Sequence, residues 1–392
     1  MESGSRDLYQ AWYDAVVEAF GLSPLSFLMA RSLIPLGSTS RNLWDDFDSV
    51  PLESDGHYYE PHLLNRFSDG YGAVVNLIIP QAGRTWRETM GDYYYQWVDY
   101  LSSSPPIPPG GMLELFATWA RRNIPDPAQA QAVITLYEQI LNGVVPVAQD
   151  RFLQAAGVYA YSRSIDEARD QVRKGPAYRF TFTSNPVTTE ARPREAASFA
   201  ARLSTAQLPD KARNQAGSAM MKLAASEVNG TAAFDHQARV WAAPLQTKEI
   251  IGGLSYPAWF SSPALRYAYQ NPGNAVWPTD MKPTWEQTFG PSGNLRRLVT
   301  SIVLVDGVDV LLASDADLTK GEQSALRQAA AAGVTPLFAV AASAGSQPDG
   351  RSAAVKPSLS VSVTADAELL QLHITSPPGS VMLFGIVAEP PL

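Results

Sequence analysis

The chain has 392 residues, no cysteine and a net charge of −8, and these properties already exclude several classes of protein. Without cysteine there is no disulfide, no thiolate nucleophile and no cysteine-ligated metal centre. Lysine and arginine are scattered along an acidic chain, which argues against a nucleic-acid partner and against charge-driven docking on anionic lipid. A length beyond that of one hydrophobic core predicts more than one domain.

The first part of the sequence is predicted to be mainly helical. Apolar residues recur at three- and four-residue steps over residues 7–20, which predicts a helix that Gly21 ends. Ser23 and Pro24 match a helix cap followed by proline at the first helical position, so residues 25–34 are predicted as a second helix. Residues 38–83 are predicted to be irregular, with short elements and one apolar run from Ala73 to Ile79. Helical periodicity then covers residues 84–101, 112–122, 127–141, 147–156 and 165–174.

The middle of the chain mixes one strand pattern with two alanine-rich helices. Residues 178–183 alternate aromatic and polar side chains, which is typical of a half-buried strand. Residues 193–203 and 211–228 are predicted as helices. Residues 234–289 hold four of the nine tryptophans, and their many prolines and glycines predict few long regular elements.

The last hundred residues favour strands. Residues 298–305 and 308–313 flank Asp306-Gly307, a pair that is typical of a tight hairpin turn. A capping box from Thr319 to Glu322 predicts a helix over residues 317–332. The remaining strands are predicted at residues 334–341, 359–364, 369–375 and 381–387.

This order of elements predicts an α+β protein, with a large mainly helical N-terminal body and a C-terminal α+β module built on an antiparallel sheet. The predicted domains are residues 1–230, which are mainly helical, and residues 293–392, which form the module. Between them, residues 231–292 are predicted as an irregular region rich in tryptophan and proline.

The densest set of polar side chains lies between residues 45 and 62. From it, Asp46, His57, Glu60 and His62 are the candidate catalytic residues. Imidazole and carboxylate groups also suit zinc, iron or manganese, but His57 and His62 are five residues apart across a proline, which matches no ligand spacing. A solvated acidic loop with capping aspartates is therefore the favoured interpretation, and a divalent metal is the minor alternative.

Aromatic residues form the other candidate site. Residues 93–95 are three consecutive tyrosines followed by Trp97, and they cannot all face one core on a helix. Tyr58, Tyr94, Trp97 and Trp259 are therefore the candidate ligand-binding residues of an aromatic-lined pocket. Burial of these rings between helices and a neighbouring domain is the competing interpretation.

Common catalytic and nucleotide-binding motifs do not occur. There is no Gly-x-Ser-x-Gly elbow, no glycine-rich dinucleotide loop and no phosphate-binding loop, so no cofactor is recognisable. His236 and His373 are isolated candidates for a general base, although single histidines in such settings are usually structural.

The sequence leaves two hypotheses of function open and does not decide whether the protein is an enzyme. The first is a protein that handles a small-molecule ligand in an aromatic-lined pocket with an acidic and histidine cluster. The alternative is an interaction or assembly protein without catalysis, either a homo-oligomeric subunit or a secreted toxin-like factor. No stretch approaches the about 18 consecutive apolar residues of a membrane helix. The beginning of the sequence has no secretory pattern, which predicts the cytoplasm, with non-classical export as the alternative.

Overall fold

A mixed sheet of nine strands organises the part of the chain that the structure describes, and thirteen helices accompany it. The structure is a computed structural model. It describes residues 7–37, 40–50, 57–59, 66–79, 83–103, 111–140, 143–155, 165–185, 199–200, 203, 208–241, 260–340, 360–365, 370–377 and 379–391.

The helices and strands alternate irregularly along the chain. The helices are α1 (Leu8–Ala19), α2 (Ser40–Phe47), α3 (Phe67–Leu77), α4 (Gly83–Met90), α5 (Tyr93–Ser103), α6 (Met112–Asn123), α7 (Pro127–Ile140), α8 (Val144–Ala155), α9 (Ile165–Lys174), α10 (Asp210–Ala224), α11 (Ser262–Gln270), α12 (Trp285–Phe289) and α13 (Lys320–Ala331). The strands are β1 (Phe27–Pro35), β2 (Tyr58–Tyr59), β3 (Tyr178–Ser184), β4 (Val228–Trp241), β5 (Leu298–Ser314), β6 (Ala339–Val340), β7 (Ser360–Ala365), β8 (Leu370–Thr375) and β9 (Met382–Glu389).

The 17-residue strand β5 is the centre of the sheet. One of its edges pairs with β4, and β3 lies beyond β4. The other edge is shared, because β9 pairs with the first half of β5 and β8 with the second half. Strand β7 extends the sheet beyond β8, and β1 extends it beyond β9. The short strands β2 and β6 pair with β1 in parallel, so the sheet is mixed.

The described residues form three hydrophobic cores, and two of them lie against the sheet. The first core packs α1, α10 and α13 against one face, and the second core packs α2, α3, α8, α9 and α11 against the other. The third, named here the aromatic core, is formed by α4 to α7 and includes Trp86, Tyr94, Trp97, Phe116 and Tyr137. The first half of β5 is buried on both faces, whereas Asp309 and Leu311 in its second half are exposed. No helix of the described residues is long and apolar enough to cross a membrane.

The predicted end of the first helix at Gly21 and the predicted capping box from Thr319 to Glu322 are both confirmed. Asp7 caps α1 by accepting a 2.7 Å hydrogen bond from the Gln10 N–H, and Gly21 follows with a φ of +59°. The capping box at the start of α13 is present in both directions between Thr319 and Glu322. Helices α7 and α9 and strand β3 also form at the predicted places.

The predicted hairpin at Asp306-Gly307 is wrong, because β5 passes through both residues without reversing. Gly307 has a φ of +65° and lies where the neighbour of β5 changes from β9 to β8. Asp306 accepts hydrogen bonds from the Gly307 N–H at 2.8 Å and the Gly379 N–H at 2.9 Å. The Asp-Gly pair therefore bends a continuous strand, which is another use of a residue that tolerates positive φ.

Three further predictions of secondary structure differ from the structure. Residues 25–34 are not a helix, because Ser23 and Pro24 form a turn and β1 begins at Phe27. An apolar run that is buried on both faces has no periodicity that distinguishes a strand from a helix. Residues 38–83, predicted as irregular, contain the helices α2 and α3. Strand β4 extends to Trp241 and so enters residues 234–289, a region that was predicted to have few long elements.

The α+β class is confirmed, but the split into a helical N-terminal body and a C-terminal sheet is not. Strands β1, β2 and β3 come from the N-terminal part and pair within the same sheet as the C-terminal strands. The sheet is also mixed rather than purely antiparallel. The division into residues 1–230, 231–292 and 293–392 stays a prediction.

Candidate functional site

A polar cleft lies between α4, α5 and the turn formed by residues 273–276, and it has a volume of about 400 Å³. It opens where the aromatic core meets the segment that contains α11 and Trp277. Its polar lining residues are Arg87, Glu88, Asp92, Tyr95 and Asn274, and its other lining residues are Ile79, Gly91 and Ala275.

The break between α4 and α5 brings four of the polar residues together. Gly91 has a φ of +57°, and its N–H donates a 2.8 Å hydrogen bond to the Arg87 carbonyl, which ends α4 as a left-handed glycine cap does. The chain turns there, and α5 begins at Tyr93. Arg87 and Glu88 on the last turn of α4 therefore share a wall with Asp92 and Tyr95.

The opposite wall is fixed to Ile79 by one backbone hydrogen bond, and Tyr267 on α11 forms a second hydrogen bond to the same residue. The Ile79 N–H donates to the Val276 carbonyl at 2.8 Å, and the Tyr267 hydroxyl donates to the Ile79 carbonyl at 3.2 Å. Within the turn, the N–H groups of Val276 and Trp277 both donate to the Gly273 carbonyl at 3.0 Å. These bonds place Asn274 and Ala275 opposite the end of α4.

Arg87 is held in position by two tyrosine rings. Its guanidinium carbon lies 5.4 Å from the centroid of the Tyr94 ring and 5.1 Å from that of the Tyr95 ring. These distances allow cation–π attraction, and Arg87 also donates a hydrogen bond to the Tyr95 hydroxyl. The guanidinium is therefore oriented before any ligand arrives.

The described lining residues of the cleft carry charges of both signs. Arg87 is positively charged, and Glu88 and Asp92 are negatively charged. Asp92 is exposed and has neither an ion pair nor a hydrogen bond of its side chain among the described residues. The cleft thus presents the oriented guanidinium of Arg87, which donates hydrogen bonds, and the carboxylate of Asp92, which can accept them.

The predicted ligand-binding residues Tyr94 and Trp97 lie in the aromatic core, where they are 2% and 1% exposed. The Trp97 ring is 4.9 Å from the Phe116 ring and 5.3 Å from the Trp119 ring. Trp97 does not line the cleft, and Tyr94 contacts it through Arg87. Their role in ligand binding stays a prediction.

The other predicted residues lie elsewhere or outside the described part of the chain. The His57 ring stacks on the Tyr13 ring at 4.1 Å, and the Tyr58 hydroxyl donates to the Tyr9 carbonyl at 2.8 Å, which places both residues beside α1. Glu60, His62 and Trp259 lie outside the described residues. The catalytic and metal hypotheses for these residues therefore stay predictions.

The aspartates near the end of α2 are in different environments. Asp48 is buried and accepts hydrogen bonds from Ser68 N–H at 2.7 Å and Ser68 Oγ at 2.9 Å, so it caps the start of α3. Burial raises the pKa of Asp48 to about 6. Burial, together with the neighbouring Asp45, raises the pKa of Asp46 to about 8. Among the described residues, no group of three or more histidine, aspartate and glutamate side chains could hold a metal ion.

His373 meets an aspartate on an exposed sheet face. Its Nε2 lies 2.7 Å from Asp309 Oδ1, and Ser362 is its partner across the β7–β8 pair. These residue types match those of a hydrolase triad, but backbone N–H groups in a sheet lie in the plane of the strands and cannot stabilise an oxyanion above the face. His236 is placed against a backbone carbonyl, with Nδ1 3.2 Å from Gly175 O.

The residues that line the cleft were not selected from the sequence. Residues 84–101 were predicted as one helix, on which Arg87, Asp92 and Tyr95 would project in different directions. Gly91 was the one local indication of a break in this stretch, since glycine in a left-handed conformation commonly ends helices. Asn274 comes from a distant turn, and no local pattern connects it with α4.

No protein-family model, no curated protein and no solved structure matches the chain. A proposal about function therefore depends on the geometry and chemistry of the cleft.

Proposed function

We propose that this protein binds a small polar molecule in the cleft between α4, α5 and residues 273–276. One observation carries the proposal: the Arg87 guanidinium is fixed over two tyrosine rings at the wall of the cleft. A side chain as flexible as arginine loses less entropy on binding when it is already oriented. Among the described residues Arg87 has no ion pair, so its remaining donors can serve a ligand.

The position and size of the cleft support the same proposal. Ligand sites commonly occur where two packed units meet, and this cleft lies between the aromatic core and the segment around α11. Its volume of about 400 Å³ is near the lower end of the range for ligand pockets. A ligand of this site is therefore small.

Binding explains the lining residues better than catalysis does. Glu88 and Asp92 are the acid–base groups of the cleft, and Tyr95 is engaged by Arg87. The lining residues that the structure describes include no histidine, serine or threonine, so among them there is no nucleophile with an adjacent base of the usual kinds. We therefore propose a binding site.

Substitution of Arg87 tests this proposal. We expect at least one compound of a panel of amino acids, carboxylates, sugars and polyamines to raise the melting temperature of the full chain with increasing concentration. Arg87→Ala is expected to weaken that binding at least tenfold, because a charge-assisted hydrogen bond contributes about 1.5–3 kcal/mol. Thermal shift and calorimetric titration measure both effects.

Two further variants separate binding from folding. Arg87→Lys keeps the charge and loses the planar fork, so it is expected to bind with intermediate affinity. Arg121→Ala removes an exposed arginine of α6, outside the cleft, and is expected to bind like the wild type. Absence of any concentration-dependent shift, or equal affinities in wild type and both Arg87 variants, would overturn the proposal.

An interaction or assembly protein is the second candidate function, and one surface favours it. Strands β3, β4, β5, β8 and β7 leave one face of their half of the sheet exposed, with Leu311 near its centre. Leu311 is 37% exposed and pairs with Thr231 on one side and His373 on the other.

If copies of the chain associate through this face, Leu311→Lys is expected to shift the sedimentation coefficient to that of a monomer. A wild-type protein that is already monomeric at tens of micromolar rejects assembly through this face.

A further inference from the structure

We infer that the ligand of the cleft is a zwitterion with a free ammonium group and a free carboxylate, as in an amino acid or a very short peptide. This inference rests on the proposed function and specifies its ligand class. It comes from the neighbouring, oppositely charged groups Arg87 and Asp92 and from the small volume of the cleft.

Arg87 is suited to the carboxylate of such a ligand. A guanidinium presents several N–H donors in a plane and binds a carboxylate through two parallel hydrogen bonds. One donor of Arg87 is used by the Tyr95 hydroxyl, and the tyrosine rings fix the plane of the group. A ligand without an anionic group would leave the other donors unpaired in a partly enclosed site, which costs affinity.

Asp92 is suited to the ammonium group. Its carboxylate is exposed at the cleft and lacks a side-chain partner among the described residues. This carboxylate attracts an ammonium group and repels a second anionic group.

The two charged groups Arg87 and Asp92 narrow the ligand class further. A dicarboxylate or a phosphate ester that pairs with Arg87 would bring a second negative charge towards Asp92, which repels it. A neutral sugar can form hydrogen bonds with both groups but has no charge to balance either of them. A volume of about 400 Å³ has room for one or two amino-acid units, and Ile79, Ala275 and the Tyr95 ring provide apolar contact for a side chain.

Three compounds that differ only in their charged ends test the inference with the full chain. These are L-leucine, N-acetyl-L-leucine, which lacks the ammonium group, and L-leucinamide, which lacks the carboxylate. We expect L-leucine to bind at least tenfold more tightly than either blocked compound in calorimetric titrations. L-lysine is also expected to bind, because it has the same α-ammonium and α-carboxylate groups as L-leucine.

Crossed variants assign each end of the ligand to its residue. Arg87→Ala is expected to abolish the preference for L-leucine over L-leucinamide and to keep the preference over N-acetyl-L-leucine. Asp92→Asn is expected to do the reverse. Asp92 is exposed, so Asp92→Asn should fold. If Arg87→Ala does not fold, Arg87→Lys is used in its place. Glu138→Gln, on the exposed side of α7, is the control and should change neither preference.

The outcomes separate the inference from the proposed function. If glucose or succinate binds in an Arg87-dependent manner and L-leucine and L-lysine do not, the zwitterion is rejected and the binding cleft stands. If preferences are unchanged by both variants, the assignment of ends to Arg87 and Asp92 is wrong. If no compound of either panel binds, both the inference and the proposed function are overturned.

Discussion

Replacement of Trp12 with alanine is expected to lower the free energy of unfolding by about 3–5 kcal/mol, as for other large aromatic residues removed from a core. Trp12 is 0% exposed and lies at the centre of the first core. Five phenylalanine rings surround it, and their centroids lie between 5.3 and 6.4 Å from its own. They belong to Phe180, Phe182, Phe234, Phe338 and Phe384.

Trp12→Phe is the matched control for this prediction. It keeps an aromatic ring in the site, and it removes an indole N–H that has no hydrogen-bond acceptor among the described residues. We expect a loss of about 1–2 kcal/mol, because the lost ring volume is partly offset by removal of an unpaired buried donor. Urea unfolding followed by fluorescence measures both variants. If Trp12→Ala unfolds within about 1 kcal/mol of the wild type, α1 does not anchor the first core.

Glu322→Gln is expected to remove the part of the acid sensitivity that depends on this carboxylate and to cost about 1–3 kcal/mol at neutral pH. Glu322 is buried and joins α13 to α10. Its Oε1 accepts from Ser218 Oγ at 2.6 Å and its Oε2 from Lys222 Nζ at 2.9 Å. Oε2 also accepts from the Thr319 N–H at 2.8 Å, which completes the capping box. We expect this modest loss in the free energy of unfolding because the Lys222 side chain is 41% exposed, and solvent weakens its ion pair with Glu322.

The sign of the pH dependence follows from the pKa of Glu322. Burial alone would raise this pKa, but hydrogen bonds from Lys222, Ser218 and Thr319 outweigh burial and lower it from 4.5 to about 2. A carboxyl with a lower pKa in the folded state stabilises the fold above its unfolded pKa. The stabilisation is lost as the pH falls from about 5 towards 2.

Urea unfolding of wild type and Glu322→Gln across this pH range measures the effect. The two curves should differ most at neutral pH and approach each other in acid. Glu138→Gln, with an exposed side chain on α7, should follow the wild type throughout. Curves for wild type and Glu322→Gln that stay parallel between about pH 5 and 2 would contradict the role of this carboxylate.

The parts of the fold that could be predicted depend on interactions between residues close in sequence. Asp7 and Thr319 cap helix starts through hydrogen bonds that span three residues, and the Thr319 cap forms as predicted. Strand β1 depends on distant partners instead, because it pairs with β9 at the other end of the chain. Its local cap pattern at Ser23 favoured a helix, and the pairing with β9 overrode it.

The candidate site could be predicted even less. Arg87 and Asp92 have no distinguishing pattern in the sequence, and their common wall exists because Gly91 ends α4. The opposite wall depends on one backbone hydrogen bond between Ile79 and Val276. The candidate ligand-binding residues were chosen from the sequence because aromatic residues are abundant there, but the structure buries Tyr94 and Trp97 in the aromatic core. Large apolar side chains are most often found in such a core.

Hydrogen–deuterium exchange of the full chain, with and without L-leucine at saturating concentration, tests the central claim most directly. If the cleft binds this zwitterion, exchange should slow in peptides that cover residues 86–95 and 273–276 and stay unchanged in peptides that cover residues 57–59. The protection should disappear in Arg87→Ala. Protection confined to residues outside the cleft, or unchanged exchange at residues 86–95 when calorimetry detects binding, would contradict the account.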